Sequence, residues 1–248
     1  MAKEKITTLF FDCDNTLVLS ESLAFEACAE LANEILSSKN IADRYTGPTL
    51  LSAFVGQNFR GMMLSLCTKY SFTLTDAELD SYVDRELGKV VEKLEKLAEP
   101  CEGVVQELHK LHDSKVYTMA VVSSSALSRV QASIKKVGMD VFFDPKHVYS
   151  AATSLPKPTS KPDPAIYLHA CKELGVTPGE CVAVEDSKSG ATAAKNAKIP
   201  LIGYVGPLEG EERVEMRKVL KEECGAVYVM EHWSEFPEAL KKVEEAIA

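Results

Sequence analysis

Residues 10–17 read FFDCDNTL: an apolar run, residues 6–11, ends here in two aspartates, Asp12 and Asp14. A short apolar run bounded by turn-forming residues is typical of a buried strand. Ligands bind at the carboxyl ends of strands in open α/β sheets, so both carboxylates would lie at a ligand-binding edge of the sheet. Neighbouring carboxylates repel each other, and a divalent cation that prefers oxygen ligands, above all Mg²⁺, is the commonest compensation. The alternative is a turn that uses Asp, Asn and Thr only for local hydrogen bonds.

The composition argues against several classes of protein. The chain has 248 residues, 46% of them hydrophobic, which suffices for one large domain or two smaller ones. A net charge of −9 argues against binding to nucleic acid or to acidic membranes, because both need a basic patch. The seven scattered cysteines include no C-x-x-C pair, which favours the reducing cytoplasm over a disulfide framework or a zinc site. No apolar run has the length of a signal peptide core or a membrane span, so we expect a cytoplasmic protein without a membrane partner.

Strand-like runs alternate with helical patterns over most of the chain. The later runs are residues 116–122, 148–149, 181–184, 201–205 and 226–230. Strands that alternate with helices predict right-handed βαβ units and a parallel sheet. The sequence therefore predicts an α/β fold.

One segment breaks this alternation. Residues 21–97 carry only helical periodicity, and Thr75 with Glu78 gives a capping-box signal before the last helix. We expect an all-helical cap domain at residues 21–98, inserted into a core domain formed by residues 1–20 and 99–248. Because the insertion leaves the sheet directly after the aspartates, we interpret it as a cap that closes over the strand ends; the alternative is a decorative subdomain.

Polar side chains follow two later strands. Residues 116–122 are followed by Ser123, Ser124 and Ser125, whose hydroxyls and free N–H groups suit a phosphate oxygen, although a serine helix cap needs no ligand. Lys161 comes just before a helix start that Pro162 and Pro164 make rigid, so its ammonium could reach a phosphoryl oxygen. The competing candidate is Lys157.

A second pair of acids, Glu185 and Asp186, directly follows residues 181–184. The predicted strand ends thus carry two aspartates, a serine run, a lysine and a further acidic pair. In sum these groups offer a metal site and a phosphate cradle beside a carboxylate nucleophile.

The four motifs occur in the order found in the haloacid dehalogenase superfamily of phosphohydrolases. The chain resembles its branch related to β-phosphoglucomutase through residues 12–16, Ser123, Lys161-Pro162 and residues 185–187, and the resemblance covers the whole chain, cap included. It implies a three-layer Rossmann-like core with a parallel sheet of strand order 3-2-1-4-5 and a helical cap.

The resemblance also implies roles for these residues. Asp12 would attack phosphorus and become an aspartyl-phosphate, while Asp14 would protonate the leaving oxygen and then activate water. The residues implied to hold Mg²⁺ are Asp12, Asp14 through its backbone carbonyl, Asp186 and Glu185, with direct contact by Glu185 left open. The residues implied to hold the phosphoryl group are Thr16, Ser123, Ser124 and Lys161.

A segment of the predicted cap is interrupted by Gly56 and Gly61. The family resemblance places a substrate-specificity loop here, so Gln57, Asn58 and Arg60 are candidates for contact with the leaving group. The alternative is a helix junction broken by glycine.

Two residues depart from the family pattern in turns. Asn15 and Lys198 stand where glycine is usual. Asparagine tolerates turn geometry, so we expect little loss at Asn15, whereas Lys198 leaves the conformation of its turn in doubt.

We predict a Mg²⁺-dependent phosphatase that acts on a small phosphorylated metabolite, a sugar or polyol phosphate. The first alternative is a phosphomutase on the same scaffold. In the β-phosphoglucomutase pattern a histidine stands where this chain has Ala24, and an arginine where it has Phe59, with Arg60 displaced by one residue. Both differences favour hydrolysis by water.

A dehalogenase and a non-enzymatic phospho-acceptor are less favoured functions. The dehalogenase branch replaces the second aspartate, because a halide leaving group needs no proton, so Asp14 argues against it. A non-enzymatic phospho-acceptor would also combine aspartate, Mg²⁺, serine and lysine, but the large cap and Asp14 argue against that class.

Overall fold

In the computed structural model, which describes residues 5–54 and 57–247, the chain divides into two compact units. The first comprises Met1–Leu19 and Glu99–Ala248, and the second comprises Ser20–Ala98. We propose these units as the core domain and the helical domain. Gly56 of the predicted specificity loop lies outside the described residues.

The described part of the second unit, residues 20–54 and 57–98, consists of helices and the loops that connect them. Its helices are α1 (Glu21–Ser38), α2 (Gly47–Ala53), α3 (Phe59–Lys69) and α4 (Asp76–Leu97). The predicted capping box begins α4: Thr75 Oγ1 accepts a hydrogen bond from the Glu78 N–H at 3.2 Å, and Glu78 Oε2 accepts one from the Thr75 N–H at 2.7 Å. Reciprocal bonds of this kind satisfy N–H groups that a helix start leaves unpaired.

Fewer residues of α4 are buried than the apolar spacing of its sequence suggests. Leu79, Val90 and Leu94 are buried, whereas Leu87 and Leu97 are exposed. Helical spacing places side chains on one face, but only neighbouring residues determine how much of that face is covered.

The first unit is built on a six-stranded parallel sheet. Its strands are β1 (Thr8–Phe11), β2 (Thr118–Ser123), β3 (Val148–Ser150), β4 (Cys181–Glu185), β5 (Leu201–Tyr204) and β6 (Tyr228–Met230). In space they follow the order β3-β2-β1-β4-β5-β6. The predicted α/β fold and its strand order are confirmed, and β6 extends the sheet by one strand at the edge.

Helices cover both faces of this sheet. They are α5 (Val104–Ser114), α6 (Leu127–Lys136), α7 (Ala165–Leu174), α8 (Lys188–Asn196), α9 (Gly210–Lys218) and α10 (Phe236–Ile247). Successive side chains of β1 point to opposite faces. Phe10 belongs to a cluster with Tyr167 of α7 and Ala191 of α8, while the ring of Phe11 lies 6.2 Å from that of Phe236 in α10. The sheet is therefore the middle of three layers.

A short antiparallel ribbon lies beside the predicted boundaries between the core and cap domains. Val18–Leu19 pairs with Glu99–Pro100, and the Cys101 N–H donates to the Leu17 carbonyl at 2.9 Å. The sequence did not predict this ribbon, because two residues per strand are too few to show an alternating pattern.

Among the helices of residues 5–54 and 57–247, none is both long enough and apolar enough to cross a membrane.

Candidate active site

The carboxyl ends of three adjacent strands bring the predicted core residues together. Phe11, the last residue of β1, is level with Val121 of β2 and with Val184 of β4. The Asp12 N–H continues this pairing by donating to the Val184 carbonyl at 3.0 Å. Because all three strands run in parallel, the residues after them emerge at the same edge of the sheet, where an open α/β sheet binds its ligands.

Lys161 is the buried cation of this edge. Its Nζ donates to Asp12 Oδ1 and to Glu185 Oε1, both at 2.6 Å, and to the Val122 carbonyl at 2.7 Å. These bonds use all the protons that an ammonium can donate. Burial disfavours the charged form, but Asp12 and Glu185 raise the pKa of Lys161 above its usual value. The competing candidate, Lys157, is exposed.

Asp12 lies in a strongly acidic setting. Burial raises the pKa of Asp12 to about 8; Lys161 acts in the opposite direction, and the carboxylates of Glu185 and Asp14 add to the rise. Neighbouring carboxylates disfavour each other's charged forms, so a further cation at this site would stabilise them.

Asp12, Glu185 and Asp186 form a cluster suited to a divalent metal ion. Each offers one carboxylate oxygen, and these oxygens lie within 4.8 Å of one another. Glu185 is completely buried, and across residues 5–54 and 57–247 no group donates a hydrogen bond to its Oε2. A buried carboxylate oxygen without a partner is costly. Because carboxylate oxygens are the ligands that Mg²⁺ and Ca²⁺ prefer, these residues fit such an ion.

Glu185 is held from two sides. Its Oε1 accepts a hydrogen bond from the Tyr167 hydroxyl at 2.5 Å as well as the bond from Lys161. Burial raises the pKa of Tyr167 well above its usual value, so the hydroxyl keeps its proton. On the other side lies Gly190 of α8, where a Cβ atom would stand only 1.8 Å from Glu185 Oε2. The absence of a side chain at Gly190 thus leaves room for the carboxylate.

The three serines around the end of β2 have different partners. Ser123 Oγ accepts from the Ser125 N–H at 3.0 Å, and Ser124 Oγ accepts from the Lys161 N–H at 3.1 Å. Ser125 Oγ donates to Asp14 Oδ2 at 2.6 Å. Ser125 therefore touches a predicted catalytic carboxylate.

Thr16, which belongs to the motif at residues 12–16, forms a hydrogen bond with the motif at residues 185–187. Its Oγ1 donates to Asp186 Oδ1 at 3.3 Å, and its carbonyl accepts a hydrogen bond from Trp233 Nε1 at 3.2 Å. Between the two aspartates and Thr16, Asn15 has a left-handed backbone with φ of 55°. Asparagine adopts this conformation more readily than most residues.

Tyr167 had no predicted role in this site, and Ser125 was predicted only as part of a serine run suited to a phosphate oxygen, not as a partner of Asp14. Ser125 belongs to the serine run at the end of β2, and Tyr167 follows Lys161 by six residues. In both cases the available signal was proximity to a predicted site residue in the chain.

The predicted substrate residues lie in the helical unit and contact other residues of that unit. Asn58 caps α3, because its Oδ1 accepts a backbone N–H bond at 2.9 Å. Gln57 Oε1 accepts a bond from Ser65 Oγ at 2.8 Å, and Arg60 forms an ion pair with Asp80. Their part in substrate recognition stays a prediction.

Comparison with known proteins identifies relatives over most of the chain. The family model for haloacid dehalogenase-like hydrolases matches residues 6–198. The 6-phosphogluconate phosphatase of Escherichia coli (strain K12) is 28% identical over 198 residues, which are 78% of this chain and 80% of that protein. Hexitol phosphatase B of the same strain is 30% identical over 126 residues, 50% of this chain and 54% of that protein. A solved structure from Thermotoga maritima, provisionally described as a β-phosphoglucomutase, has 26% identity and a TM-score of 0.70, with 96% of this chain and 100% of that chain covered.

Proposed function

The chain belongs to the haloacid dehalogenase-like hydrolases and is a phosphoric monoester hydrolase, and we propose that it hydrolyses a sugar or polyol phosphate through an aspartyl-phosphate, with Mg²⁺ as cofactor. The observation that carries the proposal is the buried cluster of Asp12, Lys161 and Glu185 beside Asp186. A carboxylate that lies next to a lysine and further acids at strand ends has the surroundings that a nucleophile for phosphorus needs.

In the proposed reaction Asp12 and Asp14 divide the chemistry. A carboxylate oxygen of Asp12 attacks phosphorus, the bond from phosphorus to the leaving oxygen breaks, and Asp14 donates a proton to that oxygen. Asp14 then accepts a proton from water, whose oxygen attacks the aspartyl-phosphate, releases inorganic phosphate and restores the Asp12 carboxylate. Splitting the hydrolysis into two displacements lets one acid–base group act twice. The hydrogen bond from Ser125 to Asp14 orients this group.

Neutralisation of charge is the main task, because a carboxylate repels a phosphate dianion. Lys161 contributes one positive charge directly beside Asp12 Oδ1. Asp12, the Asp14 carbonyl, Asp186 and Glu185 would hold Mg²⁺, which when bound would neutralise phosphoryl oxygens. Ser123 and Ser124 would donate hydrogen bonds to the phosphoryl group, and Thr16 would do so when its hydroxyl turns away from Asp186 Oδ1.

The substrate class is proposed from the relatives. Two of them are named as phosphatases for 6-phosphogluconate and for hexitols, and both 6-phosphogluconate and a hexitol phosphate are polyhydroxylated carbon chains with a phosphate. Gln57, Asn58 and Arg60 would select among such substrates. All seven cysteines are free thiols, which supports the cytoplasm as the location of the protein.

The test is phosphate release from a panel of phosphorylated sugars and polyols. We expect release by the wild-type protein with Mg²⁺, and loss of release after exhaustive chelation. Asp12→Asn should fold but fall to background, because an amide is not a competent nucleophile. Asp140→Asn changes an exposed aspartate in the same way and should leave release unchanged. Near wild-type release by Asp12→Asn, or full release without metal, would overturn the proposal.

A further inference from the structure

We propose that Tyr167 is a positioning residue that fixes Glu185 and, through it, the Lys161 ammonium; the inference rests on the function proposed above. Tyr167 is completely buried, and its hydroxyl donates to Glu185 Oε1 at 2.5 Å. The same oxygen accepts the bond from Lys161 Nζ at 2.6 Å. One carboxylate oxygen thus accepts hydrogen bonds from both the phenol hydroxyl and the ammonium.

The position of Glu185 Oε1 determines where the Lys161 ammonium points. Besides Glu185, Lys161 Nζ donates to Asp12 Oδ1 and to the Val122 carbonyl, so its protons have three fixed acceptors. Lys161 Nζ also lies 5.3 Å from the centre of the Tyr167 ring, within the range of a cation–π interaction. Tyr167 therefore contacts both Glu185 and Lys161, the charged groups that surround the Asp12 carboxylate.

Tyr167 is held in place by the packing of α7 on β4. Tyr167 and Cys171 are four residues apart and lie on one face of α7, while Cys181 and Glu185 are four apart and lie on one face of β4. The Sγ atoms of Cys171 and Cys181 lie 3.9 Å from each other at one end, and Tyr167 meets Glu185 at the other. Because the helix contacts the strand at two points, the phenol cannot move away without repacking the core.

Glu185 has little freedom on its opposite side. A Cβ atom at Gly190 would stand 1.8 Å from Glu185 Oε2 and 2.3 Å from its Cδ, so the carboxylate lies directly against the backbone of α8. The carboxylate is thus enclosed between the Tyr167 hydroxyl and Gly190. Loss of the hydroxyl would remove one of the two bonds to Oε1 and let the carboxylate and the ammonium turn.

Tyr167→Phe tests the proposal, with Tyr149→Phe as its matched control. Both tyrosines are buried in the same hydrophobic cluster, and each change removes one hydroxyl. We expect Tyr167→Phe to lower kcat about ten- to a hundredfold, the usual range for residues that orient metal ligands, with KM within about twofold. Calorimetric titration of the metal-free protein with Mg²⁺ alone should show a Kd for Mg²⁺ that is also about ten- to a hundredfold higher than that of the wild type. Tyr149→Phe should change neither quantity.

A double-mutant cycle separates positioning from general stability. If Tyr167 acts through Glu185, then in a Glu185→Gln background Tyr167→Phe should change Mg²⁺ affinity much less than in the wild type. Equal effects in both backgrounds, or wild-type kcat and Mg²⁺ affinity in Tyr167→Phe, would overturn the inference. Failure of the wild-type protein to release phosphate from any substrate would overturn the proposed function alone, since the Mg²⁺ titration of the tyrosine variants would still test Tyr167.

Discussion

Asn15 and Lys198, the two residues that replace the family's usual glycines, both have left-handed backbones, with φ of 55° and 61°. A β-carbon costs about 1–2 kcal/mol in this conformation, and asparagine offsets part of that cost by local hydrogen bonds. Lys198 follows the end of α8, where its N–H donates to the Lys195 carbonyl at 3.0 Å, and it is exposed. The turn at Lys198 thus keeps the geometry of a glycine turn without the glycine.

We expect Lys198→Gly to stabilise the protein. Relief of the left-handed strain, less the extra backbone entropy of glycine, should raise the free energy of unfolding by roughly 0.5–1 kcal/mol. The reverse change at the end of α7, Gly175→Ala, should lower it by about 1 kcal/mol, since Gly175 has φ of 67° and open space around it. Urea unfolding should show opposite shifts of the midpoint with unchanged slopes. Shifts of the same sign would contradict this account.

Site residues could be predicted where an acidic side chain directly follows a strand-like run in the sequence. Asp12, Glu185 and Asp186 each follow a buried apolar run, and the parallel sheet brings them to one edge. Tyr167 could not be recognised in this way, because a tyrosine on the buried face of a helix is an ordinary core residue. Its partner, Glu185, is 18 residues further along the chain, so the contact exists only once α7 packs on β4.

In the first turn of α8, the choice of residue is constrained by the neighbouring strand β4. Ser187 caps this helix, with its Oγ accepting the Gly190 N–H bond at 3.1 Å, and Gly190 lies against Glu185. Glycine within a helix normally costs about 0.5–1 kcal/mol relative to alanine. Here the missing side chain makes room for a buried carboxylate of the site.

Gly190→Ala should therefore destabilise the protein although alanine favours helices. The new Cβ would overlap Glu185, and overpacking of this kind costs about 1–3 kcal/mol. Mg²⁺ affinity should fall as well, because Glu185 must turn. Gly88→Ala in α4 is the matched control: nothing lies within 4 Å of the added Cβ, so stability should rise by about 0.5–1 kcal/mol. Thermal unfolding and Mg²⁺ titration of both variants check these outcomes, and a stabilised Gly190→Ala protein would refute them.

Elements with a clear apolar pattern in the sequence were mostly predictable, and elements defined only by their pairing were not. The sequence predicts a strand at residues 181–184, and β4 spans Cys181–Glu185. The ribbon of Val18–Leu19 with Glu99–Pro100 gives no periodic signal, since its pairing depends on chain segments that meet only after folding. α10 was missed although its apolar spacing is visible; its role in covering β1 through Phe236 is a tertiary contact.

For the whole molecule, the fold alone does not separate a phosphatase from a phosphomutase. The chain shares its fold over 96% of its length with the Thermotoga maritima protein, which is provisionally described as a β-phosphoglucomutase, and it also has phosphatase relatives. One scaffold can carry several reactions, so the distinction must come from particular residues. A mutase has to keep water away from its aspartyl-phosphate until the sugar intermediate binds again.

The residues of the mutase pattern that would support such retention differ here. Ala24, in place of the histidine, is a buried residue of α1, and Phe59, in place of the arginine, is buried in the core of the helical unit. Arg60 is ion-paired with Asp80 in the same unit. An alanine and a buried phenylalanine offer neither a proton nor a charge to a phosphorylated sugar, which favours attack by water.

We therefore expect hydrolysis to exceed isomerisation. With glucose 1-phosphate, Mg²⁺ and a bisphosphate primer, phosphorus NMR should show inorganic phosphate rising while glucose 6-phosphate stays near background. Asp12→Asn should form neither product, because both reactions pass through the same nucleophile. If glucose 1-phosphate is a poor substrate, glucose 6-phosphate provides the same comparison from the other side of the equilibrium. Isomerised sugar phosphate in excess of free phosphate, in either direction, would replace the phosphatase with a mutase, since only retention of the phosphoryl group between two sugar positions can produce it.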